Sequence, residues 1–171
     1  MRIEFRNIVK TYGTVQANDD ISLTLEEGTI QGLLGENGAG KTTLMKILSG
    51  YARADAGTTL LDGREVAFAS PAEAIASGIG MLHQDPMDVP ALSVLENFML
   101  GCERGPALHR KRAAQRLSEL SHQFGFALDR DELVGALTVG ERQQLELVRL
   151  LALGVRVIVL DEPTTGISEP Q

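Results

Sequence analysis

Gly35-Glu36-Asn37-Gly38-Ala39-Gly40-Lys41-Thr42 decides the fold of this chain. The segment fits the pattern G-x-x-x-x-G-K-[ST], and its surroundings fit too. An apolar run, Ile30–Leu34, precedes it and reads as a buried strand. Leu44, Ile47 and Leu48 follow at helical spacing from about Gly40, with Gly50 where a stop belongs. Strand, glycine-rich turn and helix together bind phosphate. Gly35, Gly38 and Gly40 let the backbone curl until its N–H groups converge, and the helix N-terminus adds donors and partial positive charge. Lys41 reaches the β- and γ-phosphates of a nucleotide, and the Thr42 hydroxyl can hold Mg²⁺.

Outward from this loop, the N-terminal region reads as β structure. Ile3, Phe5 and Ile8 are apolar within a polar run, and Ile21–Leu25 alternates at period 2. Thr58–Leu61 and Arg64–Phe68 flank Asp62-Gly63, a type I′ hairpin turn. Ser70-Pro71 with Glu73 opens a short helix, and Gly78–Leu82 reads as another buried strand. About Asp85–Ala136 reads as helical, with Ala113, Leu117, Leu120 and Phe124 on one apolar face. A helix from about Gly140 to Leu153 and the strand Val155–Leu160 close the pattern of a parallel α/β sheet.

That last strand ends in Asp161-Glu162. A buried parallel strand delivers the residues at its C-terminal end to the ligand crevice. Asp161 then holds Mg²⁺, and Glu162 orients and deprotonates the attacking water, a role typically worth about 10²- to 10⁴-fold.

Bulk properties bound the partners. The chain has 171 residues, enough for one domain that buries a core without staples. A single cysteine, Cys102, allows no disulfide within the chain. The net charge of -7 argues against nucleic acid, whose phosphates demand a basic face. Leu145–Leu160 contains Glu146, Arg149 and Arg156 and is not a membrane span. Met1–Lys10 carries charges throughout and lacks an apolar core, so no signal peptide is expected. Membrane association therefore has to run through a protein partner.

The whole chain resembles the ATP-binding cassette family, and most finely the N-terminal cassettes of simple-sugar and nucleoside importers. Gly35–Gly50, Gly78–Pro90, Leu95–Gly101 and Leu137–Gln144 carry the finer likeness. The resemblance implies an α/β P-loop NTPase core with a parallel sheet (1–84 and 137–171), an N-terminal antiparallel β part and a helical subdomain (about 85–136). ATP and Mg²⁺ are the implied cofactors. Nucleotide contacts fall to Gly35, Asn37, Gly38, Ala39, Gly40, Lys41, Thr42 and Thr43, with Tyr12 stacking on adenine for roughly 1–3 kcal/mol. Gln84 matches the glutamine that touches Mg²⁺ and water, so Gln84, Thr42 and Asp161 are the implied metal residues and Glu162 and Gln84 the catalytic ones.

Leu137-Thr138-Val139-Gly140-Glu141 stands where the family carries its LSGGQ signature, which contacts ATP held by a second cassette. Thr138 keeps the hydroxyl and Gly140 the close backbone approach. Glu141 is either a nucleotide contact or a first-turn acid on the helix dipole. Ser168 replaces the aspartate of the family's D-loop, and the chain reaches Gln171 before the family's switch histidine and later strands. His83, His109, His122 and Cys102 read as structural or surface residues. The implied protein is a peripheral ATPase on the cytoplasmic side of the membrane. Its partners are a second cassette, permease subunits and, indirectly, a solute-binding protein. A nucleotide-binding fragment without turnover is the alternative. A DNA-repair or translation ATPase is disfavoured by the acidic balance, and by the lack of room for a coiled coil between Lys41 and Asp161.

Overall fold

The computed structural model describes residues 1–83, 87–102 and 109–161. The chain divides into two compact units, Met1–Gly80 and Met81–Gln171.

In the first unit, strands β1 (Ile3–Tyr12), β2 (Val15–Leu25), β3 (Ala56–Leu61) and β4 (Arg64–Val66) form an antiparallel sheet in the order β2-β1-β3-β4. Ile3, Phe5 and Ile8 are all fully buried. The three-residue step from Phe5 to Ile8 breaks the period of 2, and the backbone absorbs it as a register shift. Asn7 takes a φ of 52°, and its side chain donates to Asp20 Oδ1 at 2.6 Å. Asp62 and Gly63, with φ of 48° and 78°, make the expected turn between β3 and β4.

Helix α1 (Lys41–Leu48) packs Leu44, Ile47 and Leu48 inward. Helix α2 (Pro71–Ala76) starts at a proline, and its Glu73 carboxylate reaches back to the Ala69 N–H at 2.8 Å. One expectation fails here. Ile30–Leu34 is not a buried strand but irregular chain, with Ile30 and Leu34 almost fully exposed. A buried strand needs ladder partners for its N–H and C=O groups, and none of the described strands runs beside this segment.

Strand β5 (Ile79–Leu82), every residue buried, pairs with β6 (Val157–Leu160) in a separate two-stranded parallel sheet. β6 begins two residues later than its apolar run suggests and is less buried. Val159 is inside, but Leu160 is half exposed, since β5 is its only described neighbour.

The second unit is built on α3 (Val94–Cys102), α4 (Arg110–Phe124) and α5 (Val139–Ala152), with a 3₁₀ turn at Val134–Ala136. Val94, Phe98, Leu117, Val134, Leu145 and Val148 meet in one apolar core. Ala113, Leu117 and Leu120 face that core as expected, but Phe124 does not. It lies at the last turn of α4, stays half exposed and stacks on Phe126 with ring centroids 6.1 Å apart. Among the described residues no helix is long and apolar enough to cross a membrane.

Candidate functional site

The phosphate-binding candidate lies in the first unit. Gly35–Ala39 are exposed, and a side chain at Gly38 would meet nothing, so the loop's surface is open to a ligand. Ala39 N–H donates to Glu36 O at 3.1 Å and closes the turn. Gly40 begins α1 with φ 81°. A Cβ there would stand 2.0 Å from Ala17 O and 2.7 Å from Asn18 Nδ2, so only glycine lets the loop lie against β2. Buried Asn18 completes that contact by donating to Gly40 O at 3.2 Å. The Lys41 ammonium bends back over the loop and donates to Gly35 O at 2.9 Å and Glu36 O at 2.8 Å. These are partners that a bound polyphosphate can replace at little cost, because charge-assisted bonds to phosphate are the stronger ones. Thr42 and Thr43 are half-buried on the first turn of α1. Tyr12 ends β1 half exposed, with the Lys10 ammonium 5.2 Å from its ring centroid. Its open face is available to a base.

The second unit holds the other candidates. Thr138 is the N-cap of α5 and forms a full capping box with Glu141. Thr138 N–H and Oγ1 both donate to Glu141 Oε2, at 2.8 and 2.7 Å, and Glu141 N–H donates to Thr138 Oγ1 at 3.3 Å. The Thr138 N–H above all, then the Thr138 hydroxyl, holds the Glu141 carboxyl below its ordinary value. Glu141 is therefore a capping residue in this conformation, and its carboxylate would have to turn away to reach a nucleotide. Gly140 has open space around it, which leaves the backbone at the start of α5 approachable. Asp161 follows the end of β6, half-buried. Gln84 and Glu162 lie outside the described residues, as does Ser168. Thr42 and Asp161 supply hydroxyl and carboxylate oxygens, the donor types that Mg²⁺ takes.

Sequence reasoning missed a polar group at the foot of this second region. Arg142, Glu146 and Arg149 share one face of α5. Arg142 makes a two-pronged pair with Asp88, Nε to Oδ2 at 2.7 Å and Nη2 to Oδ1 at 2.6 Å, while the Asp88 side chain is buried. Arg149 Nη1 donates to Met87 O at 2.9 Å. Glu146 is 7% exposed, and burial, against the opposing pull of Arg149, raises its carboxyl from the usual 4.5 to about 7. It accepts from the N–H groups of His83 and Met87. The signal was present in the sequence as three charges at positions i, i+4 and i+7 of one helix, but their partners were not.

A profile of the family described as ABC transporter matches residues 18–165. The ribose import ATP-binding protein RbsA of Chromobacterium violaceum is 42% identical over 99% of this chain and 34% of its own length. The arabinose import ATP-binding protein AraG of Rhizobium johnstonii is 41% identical over 97% of this chain and 34% of its own. The chain thus spans about a third of the length of these curated relatives. In fold it is similar to the crystal structure of a nucleotide-free ATP-binding cassette from an ABC transporter. The TM-score is 0.85 at 26% identity, over 98% of this chain and 72% of that one.

Proposed function

Because this chain belongs to the ABC transporter family, we propose that it binds Mg-ATP at Gly35–Thr42 and is part of an ATP-hydrolysing subunit that powers import of a simple sugar. The observation that carries this reading is the conformation of Gly35–Lys41. It is an open glycine turn fastened to β2 at Gly40, with a lysine held over it by bonds that phosphate oxygens can take over.

In this reading the loop N–H groups of Gly35, Asn37, Gly38, Ala39 and Gly40 cradle the phosphates, and Lys41, Thr42 and Thr43 close on them from the first turn of α1. Tyr12 supports the adenine. Thr42, Gln84 and Asp161 hold Mg²⁺, which neutralises charge on the phosphates when bound. Glu162 takes the proton of the attacking water, with Gln84 beside it. Residues 1–84 and 137–171 form the catalytic core, and about 85–136 the helical subdomain. Thr138 and Gly140 face the γ-phosphate held by a second cassette, so ATP draws two cassettes together and its hydrolysis releases them. Permease subunits carry the pair on the cytoplasmic face of the membrane, and a solute-binding protein delivers the sugar.

Phosphate release from Mg-ATP, measured for this chain and Glu162→Gln over a range of protein concentrations, tests the reading. Turnover that climbs more steeply than protein concentration and vanishes in Glu162→Gln supports it. Tight ATP binding with only background phosphate release supports a binding module instead.

A further inference from the structure

Strand β2 has a single buried residue, and it is polar. Asn18 is 4% exposed, whereas Ile21, Leu23 and Leu25 are half-buried. Asparagine is depleted in strands, where β-branched and aromatic side chains pack best. Its Nδ2 donates to Gly40 O at 3.2 Å. A carbonyl can only accept, so the amide nitrogen has to face Gly40 and the amide oxygen is turned away from it. That Oδ1 is buried and, among the described residues, has no hydrogen-bond partner. An apolar side chain at this position would avoid the orphaned oxygen. What it cannot do is donate to Gly40.

Gly40 O is the oxygen at which α1 begins. It also accepts from Leu44 N–H at 3.0 Å, the first bond of the helix ladder. The Gly40–Lys41 peptide is trans and planar, so its C=O and N–H point in opposite directions. An oxygen held by Leu44 and Asn18 therefore turns Lys41 N–H the other way, out past the N-terminal end of α1. The first N–H groups of a helix have no partner within it and are the ones that meet an anion. Gly40 supplies little restraint of its own. With φ 81° and no side chain it is the point at which this peptide rotates most easily. A side chain there is excluded by Ala17 O, so the restraint has to come from outside the loop.

We propose that Asn18 is a positioning residue for the nucleotide's phosphates: by holding Gly40 O from β2, it fixes the peptide whose other end, Lys41 N–H, donates to them. The proposal rests on the phosphate-binding role assigned above to Gly35–Thr42. Asn18 acts through Gly40 and needs no contact with the ligand.

Calorimetric titration of Mg-ATP and of Mg-tripolyphosphate into the protein, Asn18→Leu and Asn18→Thr tests it. Leucine has no donor, and the threonine hydroxyl stops one bond short of Gly40 O. Loss of one buried hydrogen bond weakens binding about five- to tenfold in both variants. Tripolyphosphate weakens by the same factor as ATP, because the effect lies at the phosphates. Weakened ATP with unchanged tripolyphosphate would place the effect at Tyr12 instead, since Lys10, beside that ring, lies opposite Asn18 in the sheet. That result overturns the proposal. Thermal unfolding separates positioning from damage to the fold. Asn18→Leu keeps its midpoint within about 5 °C of the parent's or raises it, since the orphaned oxygen is gone. Affinity lost only in variants whose midpoint drops further than that overturns the proposal, as does ATP affinity within about twofold of the parent's in either variant. A parent that binds neither ligand overturns the phosphate-binding reading and the role of Asn18 with it, whereas equal binding by parent and Asn18→Leu overturns the role of Asn18 alone.

Discussion

Replacing Glu146 by glutamine should change how stability depends on pH. Burial raises this carboxyl from 4.5 to about 7, so the folded protein holds a proton there that the unfolded chain has released. Between those values the folded state binds more protons, and stability falls as pH rises. The contribution is fully present below about pH 4.5 and gone above about pH 7. The shift corresponds to roughly 3 kcal/mol at about 1.36 kcal/mol per pH unit. Glutamine cannot ionise, so Glu146→Gln loses this dependence. The assay is urea unfolding followed by far-UV circular dichroism at pH 5 and pH 8. With a slope of about 2 kcal/mol per molar urea, the variant's midpoint should gain roughly 1.5 M on the parent's between the two pH values. Carboxylates held low by their partners, such as Glu4 beside Arg6 and Asp55 beside Lys10, act with the opposite sign and at lower pH. They cancel in the comparison of variant with parent. Midpoints that move in parallel would refute the assignment of a buried, protonated carboxyl at this position.

Three further outcomes follow from the geometry. Gly40→Ala places a methyl 2.0 Å from Ala17 O at a φ of 81°, which should cost more than about 2 kcal/mol and lower ATP affinity with it. Thermal unfolding and ATP titration check this together. Arg142→Ala strands the buried Asp88 carboxylate and should cost about 3–5 kcal/mol in chemical unfolding, with Asp88→Ala added to it recovering a large part. Thr138→Ala removes the cap of α5 for about 1 kcal/mol, and a thermal midpoint equal to the parent's would count against the capping box.

Local chemistry made much of this structure legible in the sequence. The turn at Asp62-Gly63, the start of α1 at Lys41 and the proline start of α2 each depend on a few adjacent residues whose conformational preferences are strong. What depended on distant partners was not legible. The bulge at Asn7 is fixed by Asp20 across the sheet, and Arg142 finds Asp88 across 54 positions of sequence. The apolar run Ile30–Leu34 has the composition of a strand, yet strand formation also requires neighbours, and the described strands provide none. For the candidate site, an open glycine turn does lead into α1 at Lys41, but the strand expected before it is absent among the described residues. The signature segment differs in one respect that composition left open, since Glu141 is occupied by its own helix cap.

The claim that this chain's glycine loop binds nucleotide is tested most directly by calorimetric titration of Mg-ATP into the protein and into Lys41→Ala. The account predicts saturable binding near one ATP per chain in the parent, weakened at least about a hundredfold by loss of the charge-assisted lysine contacts. Absence of saturable binding in the parent, or equal affinity in Lys41→Ala, would contradict it.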